Sequence, residues 1–116
     1  MNQRPHFTPA LRAGDYIFVS GQMPFDAKGN IVEGGIEAQT QQCLDNIEAA
    51  LAGENVTLEE LVKVMVWLTD VDDFAAFNAS YAERFPGQAP ARATVCSALM
   101  VPGAKIEIEA VAYKPV

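Results

Sequence analysis

Two segments, LVKVMVWLTD (61–70) and KIEIEAVAY (105–113), alternate residue by residue, while the run from Ile36 to Ala52 repeats at helical spacing. A strict period of two fits a strand with one buried face, and a period near 3.6 fits a helix with one buried stripe. A chain that switches between these periods must pack helices against a sheet.

The remaining elements follow from the same pattern. DYIFVSG (15–21) is β-rich and bounded by Gly14 and Gly21, so it reads as a strand. FDAKGNIV (25–32) carries a turn at Lys28-Gly29-Asn30 and then a second short strand, which makes a hairpin. In 36–52 the residues Ile36, Thr40, Cys43, Leu44, Ile47, Ala50 and Leu51 fall on one stripe, and Gly53 supplies the stop. TLEE (57–60) has capping-box form but starts only one turn. Next comes a strand with Val62, Val64, Val66 and Leu68 on one side and Lys63, Met65, Trp67 and Thr69 on the other. A second helix is expected over 72–85, capped by Asp72 or Asp73, buried along Phe74, Phe77, Tyr81 and Phe85, and ended by Pro86-Gly87. Strands at 92–99 and 105–113 complete an order β-β-α-β-α-β-β. The expected fold is a single α+β domain over 1–116, a two-layer sandwich with a mixed sheet and both helices on one face.

The face left uncovered carries Lys63, Met65, Trp67, Lys105, Glu107 and Glu109. A surface that mixes Trp and Met with charges suggests contact with another copy. A half-polar open sheet is the plainer alternative.

The chain has 15 Asp and Glu against 8 Lys and Arg, a formal charge of −7. Arg4, Arg12, Lys28, Lys63, Arg84, Arg92, Lys105 and Lys114 are scattered, so no basic stripe invites nucleic acid. No segment is apolar for long enough to span a membrane. The N-terminal MNQRPHFTPALRAGD lacks a signal-peptide core. Cys43 and Cys96 match no metal or redox spacing, and two free thiols point to the cytoplasm. Cys96 is read as a small residue in a strand core.

Few residues offer chemistry. Ser20, Ser80 and Ser97 lie in no nucleophile elbow, and the lone His6 sits in an irregular N-terminal segment. No glycine pattern fits a dinucleotide or phosphate loop. Glu107 and Glu109 lie about 7 Å apart along a strand, but alternating Glu is more often a solvated or interfacial face than a glycosidase pair. Arg92, in APARATV (89–95), is different: a permanent cation among small and apolar residues. It shares one side of its strand with Thr94 and Cys96. If that side is the uncovered one, Arg92 points where Glu107 points, and its planar fork would suit a bound carboxylate. A structural Arg–Glu ion pair, within the chain or between copies, explains the patterning more simply, since such pairs are common.

Taken in order, YIFVSGQMPFDAKGNIV, QCLDNIEAAL, VWLTDVDDFAAFNASYAERF, APARATV and KIEIEAVA resemble the RidA/YjgF family of imine and enamine deaminases, from about Arg12 to the C-terminus. The resemblance implies a chorismate-mutase-like subunit, a homotrimer with sheets inward as a central barrel, and sites between subunits. Trp67, Met65, Lys63, Lys105 and Glu109 would then line the barrel or the subunit contacts. It implies that Arg92 binds the substrate carboxylate and that Glu107 handles the catalytic water. Ser20, Gly21, Asn78 and the backbone of Ala93 match residues that line the ligand. Two positions depart from the pattern. Thr94 stands where relatives often carry cysteine, and Phe7 stands where the N-terminal segment carries tyrosine. The implied reaction is hydrolysis of 2-imino or 2-enamino acids, such as 2-aminoacrylate, to 2-oxo acids and ammonia, with no cofactor. A binding module for small 2-oxo carboxylates is the alternative. An endoribonuclease is disfavoured by the acidic charge.

Overall fold

The computed structural model describes residues 6–116. Arg4 and the start of the N-terminal segment lie outside the described residues. Five strands form one mixed sheet: β1 (Ala10–Ala13), β2 (Tyr16–Gln22), β3 (Leu61–Leu68), β4 (Ala91–Cys96) and β5 (Ile106–Tyr113). Their order across the sheet is β1-β2-β5-β3-β4, antiparallel except for the β3–β4 pair. Two helices, α1 (Gly35–Leu51) and α2 (Phe74–Ala82), cover one face. This is the expected α+β sandwich, with β5 central and β4 on an edge.

The first hairpin is not where the sequence suggested. Residues 10–13, to which the sequence pattern assigns no element, form β1 and turn into β2 through Gly14, whose φ of 63° suits a glycine. The expected second strand in 25–32 reduces to one bridge between Phe25 and Ile31. The turn itself is real, because the Asp26 carboxylate accepts the N–H groups of Lys28 and Asn30. It cannot extend into the sheet, since β1 and β5 already occupy both edges of β2.

Helix α1 buries Ile36, Thr40, Cys43, Leu44, Ile47 and Leu51 as its period requires. The Thr40 hydroxyl donates to Ile36 O at 2.7 Å, which satisfies a polar group in the core. Gln39 is also buried: its amide donates to Gly103 O, and its carbonyl accepts from Lys105 N, so it pins the loop before β5. After a 3₁₀ turn the left-handed position falls on Asn55, φ 57°, and not on Gly53. Asn tolerates that conformation better than most side chains.

The TLEE segment forms its capping box over a single 3₁₀ turn. In β3 the expected inner face holds for Val64, Val66 and Leu68, whereas Val62 is exposed and Leu61 is buried instead. A register shift against β5 between Leu61 and Lys63 causes the exchange, because one extra residue flips the alternation. Helix α2 is shorter than the expected 72–85. A 3₁₀ turn at Val71–Asp73 leads into it, and the capping carboxylate belongs to Asp70, which accepts from Asp72 N. Arg84 then clamps α2 to α1 through Gln41, Asp45 and Glu48.

The two sheet faces differ as expected. Val64, Val66, Ile106, Ile108, Ile17 and Val19 pack under the helices. The other face carries half-buried Met65 and Trp67 together with exposed Leu11, Tyr16, Phe18 and Tyr113.

Candidate active site

Strand register decides where Arg92 points. In the parallel β3–β4 pair, Arg92 lies opposite Val64 and Thr94 opposite Val66, both on the helix-covered side. Arg92 therefore does not share the uncovered face with Glu107, which lies opposite Trp67. Period two had grouped Arg92 with Thr94 and Cys96 correctly but could not say which side of the sheet the group takes.

Helix α2 supplies what the guanidinium rests on. The Arg92 Cζ lies 4.8 Å from the Tyr81 ring centroid, 5.1 Å from Phe77 and 5.9 Å from Phe74. These residues recur at three- and four-residue steps, so one helical face delivers all three rings to one cation. Such stacking is worth about 0.5–2 kcal/mol. The periodicity of the aromatic stripe predicts only core; its spacing beside a lone arginine is the signal in the sequence for a platform. Among the described residues the ion pairs are those of Arg12 and Arg84, so the fork of Arg92 is left without a carboxylate.

Two hydroxyls beside it also lack partners. Thr94 Oγ1 and Tyr81 OH are both buried without a hydrogen bond. Burial pushes the Tyr81 phenol up to about 12, although the Arg92 charge opposes the rise. The Arg92 guanidinium is near enough to meet the Tyr81 hydroxyl, so a cation without a carboxylate beside the unmet Thr94 hydroxyl is a costly arrangement unless a ligand completes it. Asn78 lies one turn beyond Phe74 on α2 and is exposed. Ala93 sits opposite Met65 on β4, whose outer edge has no neighbouring strand among the described residues. Cys96, expected in a strand core, is exposed at the end of this edge.

The second group of candidate residues gathers on the other side. Between Val19 and Gln22 the β2–β5 register shifts, and Ser20 and Gly21 occupy the irregularity. Gly21 lies directly over the Glu107 carboxylate: a Cβ added there would collide with Glu107 Oε2 and come within 3.0 Å of the carboxyl carbon. The Ser20 hydroxyl donates to Thr8 O at 2.6 Å, so it ties down the N-terminal segment. Phe7, one residue earlier, is exposed. Glu107 is half-buried, and its carboxyl is held above the usual carboxylate range, first by burial and then by the negative charge of Glu109. Beneath the sheet, Cys43 donates its thiol to Gln22 O, and burial raises its pKa far above the ordinary thiol range. That thiol is structural.

The candidate residues thus form two half-sites on opposite faces of one sheet. One holds a cation and hydroxyl donors, the other a carboxylate suited to proton transfer. His6 is exposed, and no cluster of three metal-ligating side chains exists among the described residues. No helix among them is long and apolar enough to cross a membrane.

Comparison with known proteins places the sequence and the fold in a family. The family model described as endoribonuclease L-PSP matches residues 1–114. A RutC family protein of Pyrococcus horikoshii is 44% identical over 109 residues, spanning 93% of this chain and 86% of that one. The mitochondrial protein mmf1 of Schizosaccharomyces pombe is 41% identical, spanning 93% of this chain and 68% of that one. The crystal structure of RidA from an Antarctic Psychrobacter superposes with a TM-score of 0.89 at 33% identity, covering 97% of this chain and 91% of that one. On sequence and fold together, the chain belongs to the endoribonuclease L-PSP family, the RidA/YjgF family.

Proposed function

We propose that this protein hydrolyses 2-imino or 2-enamino acids to 2-oxo acids and ammonia at a site completed between copies of the chain. The observation that carries this reading is Arg92: a guanidinium oriented by three aromatic rings, with no acid of its own, beside the buried, unpartnered hydroxyl of Thr94. A substrate carboxylate takes both N–H groups of the fork. Thr94 Oγ1 and the Ala93 backbone are placed along the same strand to hold its other polar atoms.

Because Arg92 and Glu107 lie on opposite faces, the carboxylate that works on an Arg92-bound substrate belongs to a neighbouring copy. The exposed Leu11, Tyr16, Phe18 and Tyr113 on the open face favour such an assembly, and three copies closing as a barrel would bury them. In the reaction, Glu107 accepts a proton from water as the oxygen attacks the imine carbon. The C=N bond becomes a single bond, and the nitrogen takes up a proton. Collapse of the resulting carbinolamine breaks the C–N bond, releases ammonia and leaves the 2-oxo acid. A carboxyl raised above its ordinary range is a better proton acceptor, and returns the proton later in the reaction. The reaction also runs unaided, so positioning supplies much of what is required.

The test is the release of 2-oxo acid from 2-aminoacrylate generated in place by a dehydratase, compared with the spontaneous rate. Acceleration that is lost in Arg92→Ala supports the reading. Tight binding of 2-oxo acids without acceleration of any imine would replace it with a binding module. The acidic charge and the isolation of Arg92 argue against RNA as the substrate.

A further inference from the structure

Directly beyond the Arg92 platform, at the C-terminal end of β4, a cleft of about 190 Å³ opens between the edge strand and the start of α2. Leu68, Val71, Phe74, Thr94, Val95 and Cys96 line it. Val71, Phe74 and Val95 are 68%, 45% and 41% exposed, an unusual gathering of large apolar side chains at one small place. The cleft adjoins the cation: Arg92 does not line it, but the Phe74 ring that flanks Arg92 is one of its walls. Thr94 stands between them, two residues from Arg92 on the same strand side, with its buried hydroxyl unpartnered.

We infer that this cleft receives the side chain of the substrate, and that the enzyme favours 2-imino acids with a branched aliphatic or aromatic chain over 2-aminoacrylate and the imine of alanine. The inference rests on the proposed deaminase reading. It commits to a ligand that is anionic at one end and apolar at the other, because the apolar cleft adjoins both the cation and the orphaned Thr94 hydroxyl. At about 30 Å³ per water, the cleft displaces about six waters, room for an isobutyl or phenyl group. A methyl group would leave most of it wet. Filling it is worth about tenfold or more in kcat/KM, since each methylene in an apolar pocket discriminates by about that factor.

The experiment uses imino acids released by an amino acid oxidase from leucine, phenylalanine and alanine, with the full chain. In parallel, calorimetry measures binding of 4-methyl-2-oxopentanoate and pyruvate. The expected result is at least a tenfold preference for the larger member in both assays. Val71→Trp, an exposed position, narrows the cleft and should reduce that preference about tenfold. Equal kcat/KM for all three imines, or a preference unchanged in Val71→Trp, overturns the inference while leaving the deaminase reading intact. Failure to accelerate any imine overturns the deaminase reading; the binding ratio then judges the cleft alone, and equal or absent binding overturns it too. Light scattering of Val71→Trp completes the test: dissociation of the assembly would mean that another copy's side chains fill the cleft, which also overturns it.

Discussion

Arg92 and Glu107 are both charged side chains set in strands of one sheet, yet their surroundings differ. Arg92 lies on an edge strand, on the helix side, against rings from α2 that hold a permanent cation without neutralising it. Glu107 lies on the central strand, on the open side, under a glycine that leaves room for nothing else. The first environment keeps a charge and leaves it without a carboxylate partner among the described residues. The second, by burial and by the nearby Glu109, makes a charge easier to lose. Guanidinium cannot give up its proton in a protein, whereas a carboxyl can, so burial has opposite uses at the two places. In the proposed reaction, binding falls to one region and proton transfer to the other, and a second copy would unite what the sheet separates.

The sharpest way to break this contrast is to remove the cation. Arg92→Ala should lower kcat/KM by about 2–5 kcal/mol of transition-state binding, and Arg92→Lys, which keeps the charge but not the fork, should recover only part of it. Equal rates in wild type and Arg92→Ala, with the assembly intact, would remove Arg92 from the binding role. On the opposite region, Gly21→Ala pushes a methyl group into the Glu107 carboxylate. A displacement of that kind should cost about a hundredfold, in kcat more than in KM, because it misplaces the proton acceptor and not the anchor. A Gly21→Ala variant with normal kcat would show that Glu107 works elsewhere or not at all.

Mixing tests whether two copies are needed. Arg92→Ala and Glu107→Gln chains, each inactive alone, should regain about a quarter of wild-type activity when refolded together, if each site draws its two residues from different copies. No recovery would place both residues in one chain and contradict the opposite faces seen here.

The smallest effect concerns pH. Glu107 must be ionised to accept a proton, so the rate should fall as pH drops through its raised value. Glu109→Gln removes the lesser cause of that rise and should move the acid limb to lower pH. The stability sign is the reverse. A carboxyl raised in the folded state holds its proton more tightly there than in the unfolded chain. Its contribution is present at low pH and is lost as pH climbs from the ordinary carboxylate range through the raised value. Thermal melts of Glu107→Gln should be flatter than wild type across that window, and parallel curves would refute the shift.

Much of this molecule was legible in its residues. The stripe from Ile36 to Leu51, the alternation of KIEIEAVAY and the Thr57–Glu60 box are local patterns, and each forms as its spacing demands. The hairpin was misplaced because ALRA carries no strong strand signal and becomes β1 only by pairing with β2. Val62 was misplaced because a bulge depends on the partner strand. The aromatic stripe of α2 was visible, but its use as a platform required β4 to arrive beneath it.

The sequence by itself determined which residues share a side: Arg92 with Thr94 and Cys96, Glu107 with Glu109, and Phe74, Phe77 and Tyr81 along one helix face. Only the tertiary structure decided which side each set occupies. Periodicity is a property of one segment, but facing is a property of register. The pairing of Arg92 with Val64 and of Glu107 with Trp67 is fixed by hydrogen bonds between strands far apart in the chain.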